Sequence, residues 1–346
     1  MNKLQNIQAL RGVAALVVVL FHLVLIERKY GGANHILPDW LQFGMFGVDL
    51  FFVISGFVMV MVTRGKFQHV KNALIFLYHR ASRIYPLYWV YTTLGLVVFL
   101  IRPTWVNSSQ GNQVNILASY LLLPDSLLPL VQVGWTLIHE MYFYLVFFLL
   151  MLSLPERFLP AAMLVWGVLI AIFDRRTGGA ALDLVFHPLT IEFIAGCLLA
   201  WHYRHFTSVN INASGLAAAT CTGLAAAALG YVYYENQTGS PPGGWWRLVY
   251  YGIPAVVIVF SGTHAERNGM ILPAFLIQNG NASYSIYLSH LFTINAVGRL
   301  WNVFASDGIV DNLFALLVTL AAVLAVGFAS YWMLETPLLR LSRKLA

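Results

Sequence analysis

The sequence predicts an all-α, polytopic integral membrane protein, with about ten transmembrane helices around a polar central cavity. Three observations lead there. Hydrophobic side chains make up 59% of the 346 residues and charged ones 10%, whereas soluble domains carry about 25% charged residues. Mean hydropathy is +0.73. Apolar runs long enough to cross a hydrocarbon core, about 20 residues at 1.5 Å each, recur along the whole chain. This composition excludes a soluble globular enzyme, a disordered chain and a nucleic-acid binder. Aromatic residues at 14% suit a chain that meets two membrane–water interfaces.

The first run covers residues 7–26. A short basic start before an apolar run could be a secretory signal. Here Arg11 and His22 interrupt the run, and its exit, Glu27-Arg28-Lys29, offers no small-residue cleavage site. It is read as the first span. Further spans are expected at 44–63, 85–101, 135–152, 159–173, 188–203, 213–234, 248–261, 282–300 and 313–334, with short hairpin-like pieces near 117–123 and 271–277. The longest polar segments, 101–134 and 235–246, read as loops. Pro241-Pro242-Gly243-Gly244 forms a turn beside the interface anchor Trp245-Trp246. Cys197 and Cys221 both lie in apolar runs, which suits neither a disulfide framework nor a metal cluster, and no metal site is expected.

An even number of spans puts both termini on one side. Twelve Lys and Arg then fall on the terminal side, among them Lys3, Arg64, Lys66, Lys71, Arg80, Arg83 and the tail, against seven on the other, Arg28, Lys29, Arg102, Arg175, Arg176, Arg247 and Arg299. By the positive-inside rule both termini are expected in the cytoplasm and the protein in the cell (inner or plasma) membrane.

Ionisable groups inside spans are expensive, so each is a functional candidate. Arg11 and His22 return to within about 20° of one helix face, roughly 16 Å apart along the axis. Between them on that face lie Ala14, Ala15 and Val18. These small residues could form a groove for a slender ligand, or simply allow close helix packing. His22, Asp49 and Glu140 each lie a similar depth below the outer ends of their helices. A carboxylate beside an imidazole suits a general base; a helix-locking polar cluster and a proton relay are the competing readings. At the inner end, Arg80 and Arg83 are three apart, so they can share a helical face and present forked donors to phosphate. The bland alternative for them is topology and anionic lipid. Tyr287 and His290 are neighbours at i, i+3, and Glu192 lines a cavity or serves packing. His139 points about 100° away from Glu140 and reads as structural. His35 through Asp39 imitates an HxxxD acyltransferase pattern, but in an outer loop containing Pro38, and is set aside.

The ordered motifs resemble the membrane acyltransferase 3 family, which includes bacterial exopolysaccharide and O-antigen O-acetyltransferases. The resemblance rests on Ile7-Gln8-Ala9-Leu10-Arg11-Gly12 with His22, and on Gly47-Val48-Asp49-Leu50-Phe51-Phe52-Val53-Ile54-Ser55-Gly56-Phe57. Arg80 with Arg83 and Trp135-Thr136-Leu137-Ile138-His139-Glu140 follow. Ser283-Tyr284-Ser285-Ile286-Tyr287-Leu288-Ser289-His290 and Glu335-Thr336-Pro337 close the set.

It implies a single transmembrane acyltransferase domain over residues 1–346. It also implies transfer of an acyl group, usually acetyl, from cytoplasmic acyl-CoA to a hydroxyl of a carbohydrate or lipid-linked glycan at or beyond the outer leaflet. Acetyl-CoA would be a co-substrate, with no permanently bound cofactor. The catalytic candidates are then His22, Glu140 and Asp49, with His22 as general base or transient acyl carrier. Arg11, Arg80 and Arg83 are the acyl-CoA-binding candidates. Tyr284, Tyr287, His290 and Glu192 are second polar contacts. The rival from another class is a proton-coupled exporter of a sugar or lipid-linked intermediate that uses the same ionisable groups as a relay.

Overall fold

The computed structural model describes residues 4–32, 34–173, 178–206, 209–305 and 308–344. Lys3, Arg175 and Arg176, counted above among the loop charges, lie outside them. In chain order the α-helices are α1 (Gln5–Tyr30), α2 (Phe46–Val62), α3 (Val70–Ile101), α4 (Ile116–Leu121), α5 (Gly134–Ser153), α6 (Leu159–Phe173), α7 (Ala180–Val185) and α8 (Thr190–His205). There follow α9 (Ala213–Thr238), α10 (Gly244–Arg247), α11 (Ile253–Arg267), α12 (Ala274–Asn281), α13 (Ser283–Phe304), α14 (Ile309–Ser330) and α15 (Thr336–Lys344). No strand occurs among the described residues. Nine helical stretches among them are long and apolar enough to cross a membrane. The expected span absent from these nine, 282–300, is α13. It is a 22-residue helix, but its Ser-, Tyr- and His-rich first half lowers its hydropathy, and that half is buried inside the protein.

The chain divides into two compact units, Met1–Ile54 with His202–Trp332, and Ser55–Trp201 with Met333–Ala346. The first is organised on α1. Leu4, before its first turn, has no side chain able to cap. The amides of Gln5 and Asn6 instead donate to the two carboxylate oxygens of Glu266, at the end of α11, both at 2.7 Å. One distant carboxylate thus satisfies donors that the helix start leaves orphaned. At the other end the buried Glu27 carboxylate accepts from the amides of Ile36 (2.7 Å) and Leu37 (2.9 Å), pinning the following loop. Ala15, Val19, Leu23 and Ile26 repeat at helical spacing and pack with Ile286 and Ile294 of α13 and Leu316 and Val323 of α14.

The adjacent face of α1 packs closely. A Cβ at Gly47, near the start of α2, would collide with the Ala14 carbonyl and the Val18 side chain. Ala14, Ala15 and Val18 are buried. The small residues between Arg11 and His22 therefore let neighbouring helices seat closely. Gly280 plays the same part on α12, where a Cβ would strike the Gln8 carbonyl.

In the second unit α3 starts at Val70, well before the expected 85. Pro86, which marks a helix start by its missing N–H, lies inside the helix instead. Losing one backbone hydrogen bond is tolerated within a long packed helix. Arg80 and Arg83 consequently belong to a helix rather than to a loop. The core is aromatic: the Phe143 ring stacks on Phe193 (4.5 Å, 17°) and on Trp166 (5.9 Å, 6°), and Phe147 meets Phe76 at 5.5 Å. The polar segment before α5 is pinned down rather than loose. Tyr88 Oη donates to the Ser119 carbonyl (2.8 Å), Trp89 Nε1 to the Tyr120 carbonyl (2.9 Å) and Asn107 Nδ2 to the Leu128 carbonyl (2.7 Å). Asn115 caps α4 by accepting from the Ala118 amide at 3.0 Å.

Candidate active site

The central pair in the first unit is His22 on α1 and His290 on α13. His22 Nδ1 lies 2.9 Å from the Val18 carbonyl and 3.2 Å from His290 Nε2. His290 Nδ1 lies 2.7 Å from the Tyr287 carbonyl. A carbonyl only accepts, so each Nδ1 must carry a proton. The neutral His290 ring then presents Nε2 as an acceptor, and His22 Nδ1–H shares its proton between Val18 and His290. The lone pair of His22 is left on Nε2. Both hydrogen bonds of the dyad thus fix the tautomer that a general base needs. The Tyr287 ring packs 5.8 Å from His290 and 6.0 Å from Phe51, so the pair is held by aromatic contact as well.

The sequence offered Asp49 and Glu140 as carboxylate partners of His22. The structure gives each a different partner. Asp49 is fully buried and takes a forked pair of bonds from Arg247, Nε to Oδ1 and Nη2 to Oδ2, both 2.8 Å. Charge and fork geometry are matched, so this carboxylate is neutralised where it stands. Arg247, placed above among loop cations, is itself buried at the end of α10, directly before the π-helical turn Leu248–Gly252. Its guanidinium lies 5.8 Å from the Tyr251 ring centre. A signal for it was present: one uncompensated aspartate in a span demands a counter-charge. The turn-like Pro241–Gly244 neighbourhood masked it.

Glu140 belongs to the second unit. Its Oε1 accepts from Ser55 Oγ at 3.0 Å and from the Tyr144 hydroxyl, and Ser55 and Tyr144 are themselves 3.2 Å apart. The Arg80 guanidinium faces both Glu140 and Tyr144. Arg80 Nε is buried and has no hydrogen-bond partner among the described residues. The arginine expected at the inner end and the glutamate expected in the outer layer therefore share one cluster. The depth assignment failed because α3 begins a full stretch earlier than expected. Ser55 and Tyr144 were not singled out; Tyr144 lies one helical turn after Glu140, the spacing at which side chains meet.

The remaining candidates disperse. Arg11 is half-buried on α1, and Arg83 half-buried one turn after Arg80. Tyr284 is buried on α13 with Tyr287 and His290. Glu192 is buried on α8 of the second unit, and Glu335 in the π-helical turn Tyr331–Glu335. His139 turns towards His187, ring centres 4.7 Å apart, and meets Trp135 edge-on at 5.8 Å. Among the described residues no group of three or more His, Cys, Asp or Glu could hold a metal ion.

The chain matches the family model described as "Acyltransferase domain" over residues 4–332. It is similar to the exopolysaccharide production protein ExoZ of Rhizobium meliloti (strain 1021), at 32% identity over 87% of this chain and 91% of that protein. It is also similar to the acyltransferase MdmB of Streptomyces mycarofaciens, at 25% identity over 98% of this chain and 92% of that protein. No solved structure matches the chain. An apolar multi-helix chain of this make-up is an integral membrane protein, and with the domain covering nearly all of it, the chain belongs to the acyltransferase 3 family and is a membrane acyltransferase.

Proposed function

We propose that this protein moves an acyl group, acetyl in the first instance, from acyl-CoA to a hydroxyl of an exported or cell-surface carbohydrate. Reaction at an embedded base with a donor from the cytoplasm fits residence in the cell membrane with both termini inside. The observation that carries the proposal is the His22–His290 dyad. His22 Nε2 holds the lone pair, and His22 Nδ1–H is anchored on two acceptors.

In the proposed step, His22 Nε2 takes the proton of the acceptor hydroxyl as its oxygen attacks the thioester carbonyl carbon. A C–O bond forms and the carbonyl electrons move to oxygen. Collapse of the tetrahedral intermediate breaks the C–S bond, and the CoA thiolate leaves with the proton that His22 carried. An ester and free CoA result, and His22 returns to its starting tautomer. His290 Nε2 accepts a stronger hydrogen bond from His22 while that ring is cationic, which is the part a carboxylate plays in other triads. Arg11, Arg80 and Arg83 are the proposed cations for the anionic CoA. The buried Nε of Arg80 supports this, since an arginine donor without an acceptor suits an incoming anion. Glu140 and Tyr144 then orient that guanidinium, and Asp49 with Arg247 holds the helices.

The test is acceptor-dependent release of CoA from acetyl-CoA by purified protein in detergent, with transfer to the glycan read by mass spectrometry. The wild type should transfer and His22→Ala should lose roughly 10²–10⁴ of the rate. No turnover with any glycan acceptor, combined with pH-gradient-driven flux in liposomes, would establish a proton-coupled exporter instead.

A further inference from the structure

The second unit contains a pocket that the dyad chemistry does not use. Its volume is about 360 Å³, and its wall is built from the segment before α5, the first turns of α5 and the short helix α7. That size is at the small end of ligand pockets and suits one sugar ring better than a coenzyme. Its chemistry is consistent along each wall. Trp135 and Ile138 supply apolar surface, Asp125 and Asp183 supply carboxylates, and His139 and His187 supply imidazoles. No Lys or Arg is among the described residues that line it.

The polar groups are set in place in advance. Asp125 Oδ2 accepts from Asn115 Nδ2 at 2.6 Å and Oδ1 from the Leu127 amide at 2.9 Å. The Leu127 amide foremost holds this carboxyl below the usual range, so it stays ionised in mild acid. The Leu189 amide donates to His187 Nδ1 at 3.2 Å, which puts the ring proton of His187 on Nε2 and makes that nitrogen a donor. A sugar ring needs the same set: a flat apolar patch for its C–H face, fixed acceptors for hydroxyl protons and a donor for hydroxyl oxygens. Two carboxylates, with no Lys or Arg beside them among the described lining residues, disfavour uronates and sugar phosphates.

The geometry points to this pocket as a binding subsite for a neutral sugar ring of the acceptor glycan, selecting against acidic sugars. As an acceptor subsite it rests on the proposed transfer to carbohydrate; as a binding site it does not. By the positive-inside count the segment before α5 faces outward, where an exported glycan is met.

The full-length protein in detergent, without acyl-CoA, is applied to an array of neutral and uronate-containing bacterial oligosaccharides. The wild type should bind neutral glycans in preference to acidic ones. Asp125→Asn with Asp183→Asn should lose about tenfold or more of that binding, the effect of removing a charged hydrogen-bond partner. Asp183→Asn alone, on an exposed position of α7, guards against misfolding from loss of the Asp125–Asn115 bond and should weaken binding in the same direction. Absence of glycan binding, preference for acidic glycans, or binding unchanged in both aspartate variants overturns the subsite. Glycan binding that depends on the aspartates in a protein that never transfers from acyl-CoA would instead leave the subsite standing and remove the transferase reading.

Discussion

At the scale of single residues, two imidazoles replace the imidazole–carboxylate pair that His22 was expected to form. A neutral acceptor stabilises a His22 imidazolium less than a carboxylate would, so in the proposed step His22 would give the proton back more readily to the leaving thiolate. In the proposed mechanism His290 positions and polarises the base, and the variants should separate these parts. His290→Ala should lower kcat about tenfold to a hundredfold with little change in KM for acyl-CoA. His290→Gln, whose amide oxygen can still accept from His22 Nδ1–H, should recover part of that loss; equal loss in both variants would reduce His290 to a packing residue. Asp49 and Arg247 call for a different expectation. Removing either partner leaves a buried charge uncompensated, at a cost of about 3–5 kcal/mol. Asp49→Asn or Arg247→Gln alone should therefore lower the melting temperature in detergent sharply. The double variant should melt higher than either single, and transfer should return with stability. A stable but inactive double variant would return Asp49 to the chemistry.

At the scale of helices, most of the fold was legible because a membrane span is a length-and-hydropathy signal, and α6 coincides with the expected 159–173. The errors share one cause. Where a helix runs on through polar residues, hydropathy ends before the helix does, as with α3 through Arg80 and Arg83. The candidate site is legible in sequence only as a set of expensive residues: His22, Asp49, Glu140 and His290 stand out, but their pairing does not. Pairing depends on which helices touch, and that is decided by small residues whose role is ambiguous in sequence. Gly47 is the clearest case. Because the seat it needs is formed by the Ala14 backbone carbonyl, trimming side chains cannot create room for anything larger. Gly47→Leu should therefore cost about 1–3 kcal/mol or more of stability, read as a lower folded yield and melting temperature, and adding Ala14→Gly should not rescue it. Rescue by that second change would mean that the contact is between side chains and adaptable.

At the scale of the whole chain, the charge distribution that suggested an orientation survives the structural corrections. Arg80 and Arg83 leave the terminal side of the count because they lie in α3, and Arg247 leaves the opposite side because it is buried against Asp49. What remains on the terminal side includes Arg64 and Lys66 between α2 and α3, Lys71 in the first turn of α3, and the basic end of α15 with Arg340, Arg343 and Lys344. The excess keeps its sign, so the terminal side is still the one that should face the cytoplasm. That orientation would have a chemical consequence: the proposed acyl-CoA donor would be met from the cytoplasm, whereas the segment carrying the Trp135 pocket would be open to exported glycan. Single cysteines introduced at Ser126 and at Lys66, in a background with Cys197 and Cys221 replaced by Ser, would test this in intact cells. A membrane-impermeant maleimide should label Ser126→Cys from outside and reach Lys66→Cys only after permeabilisation. The reverse pattern would place the pocket in the cytoplasm. There it could meet only a glycan still under assembly, and the acceptor would have to be modified before export rather than after it.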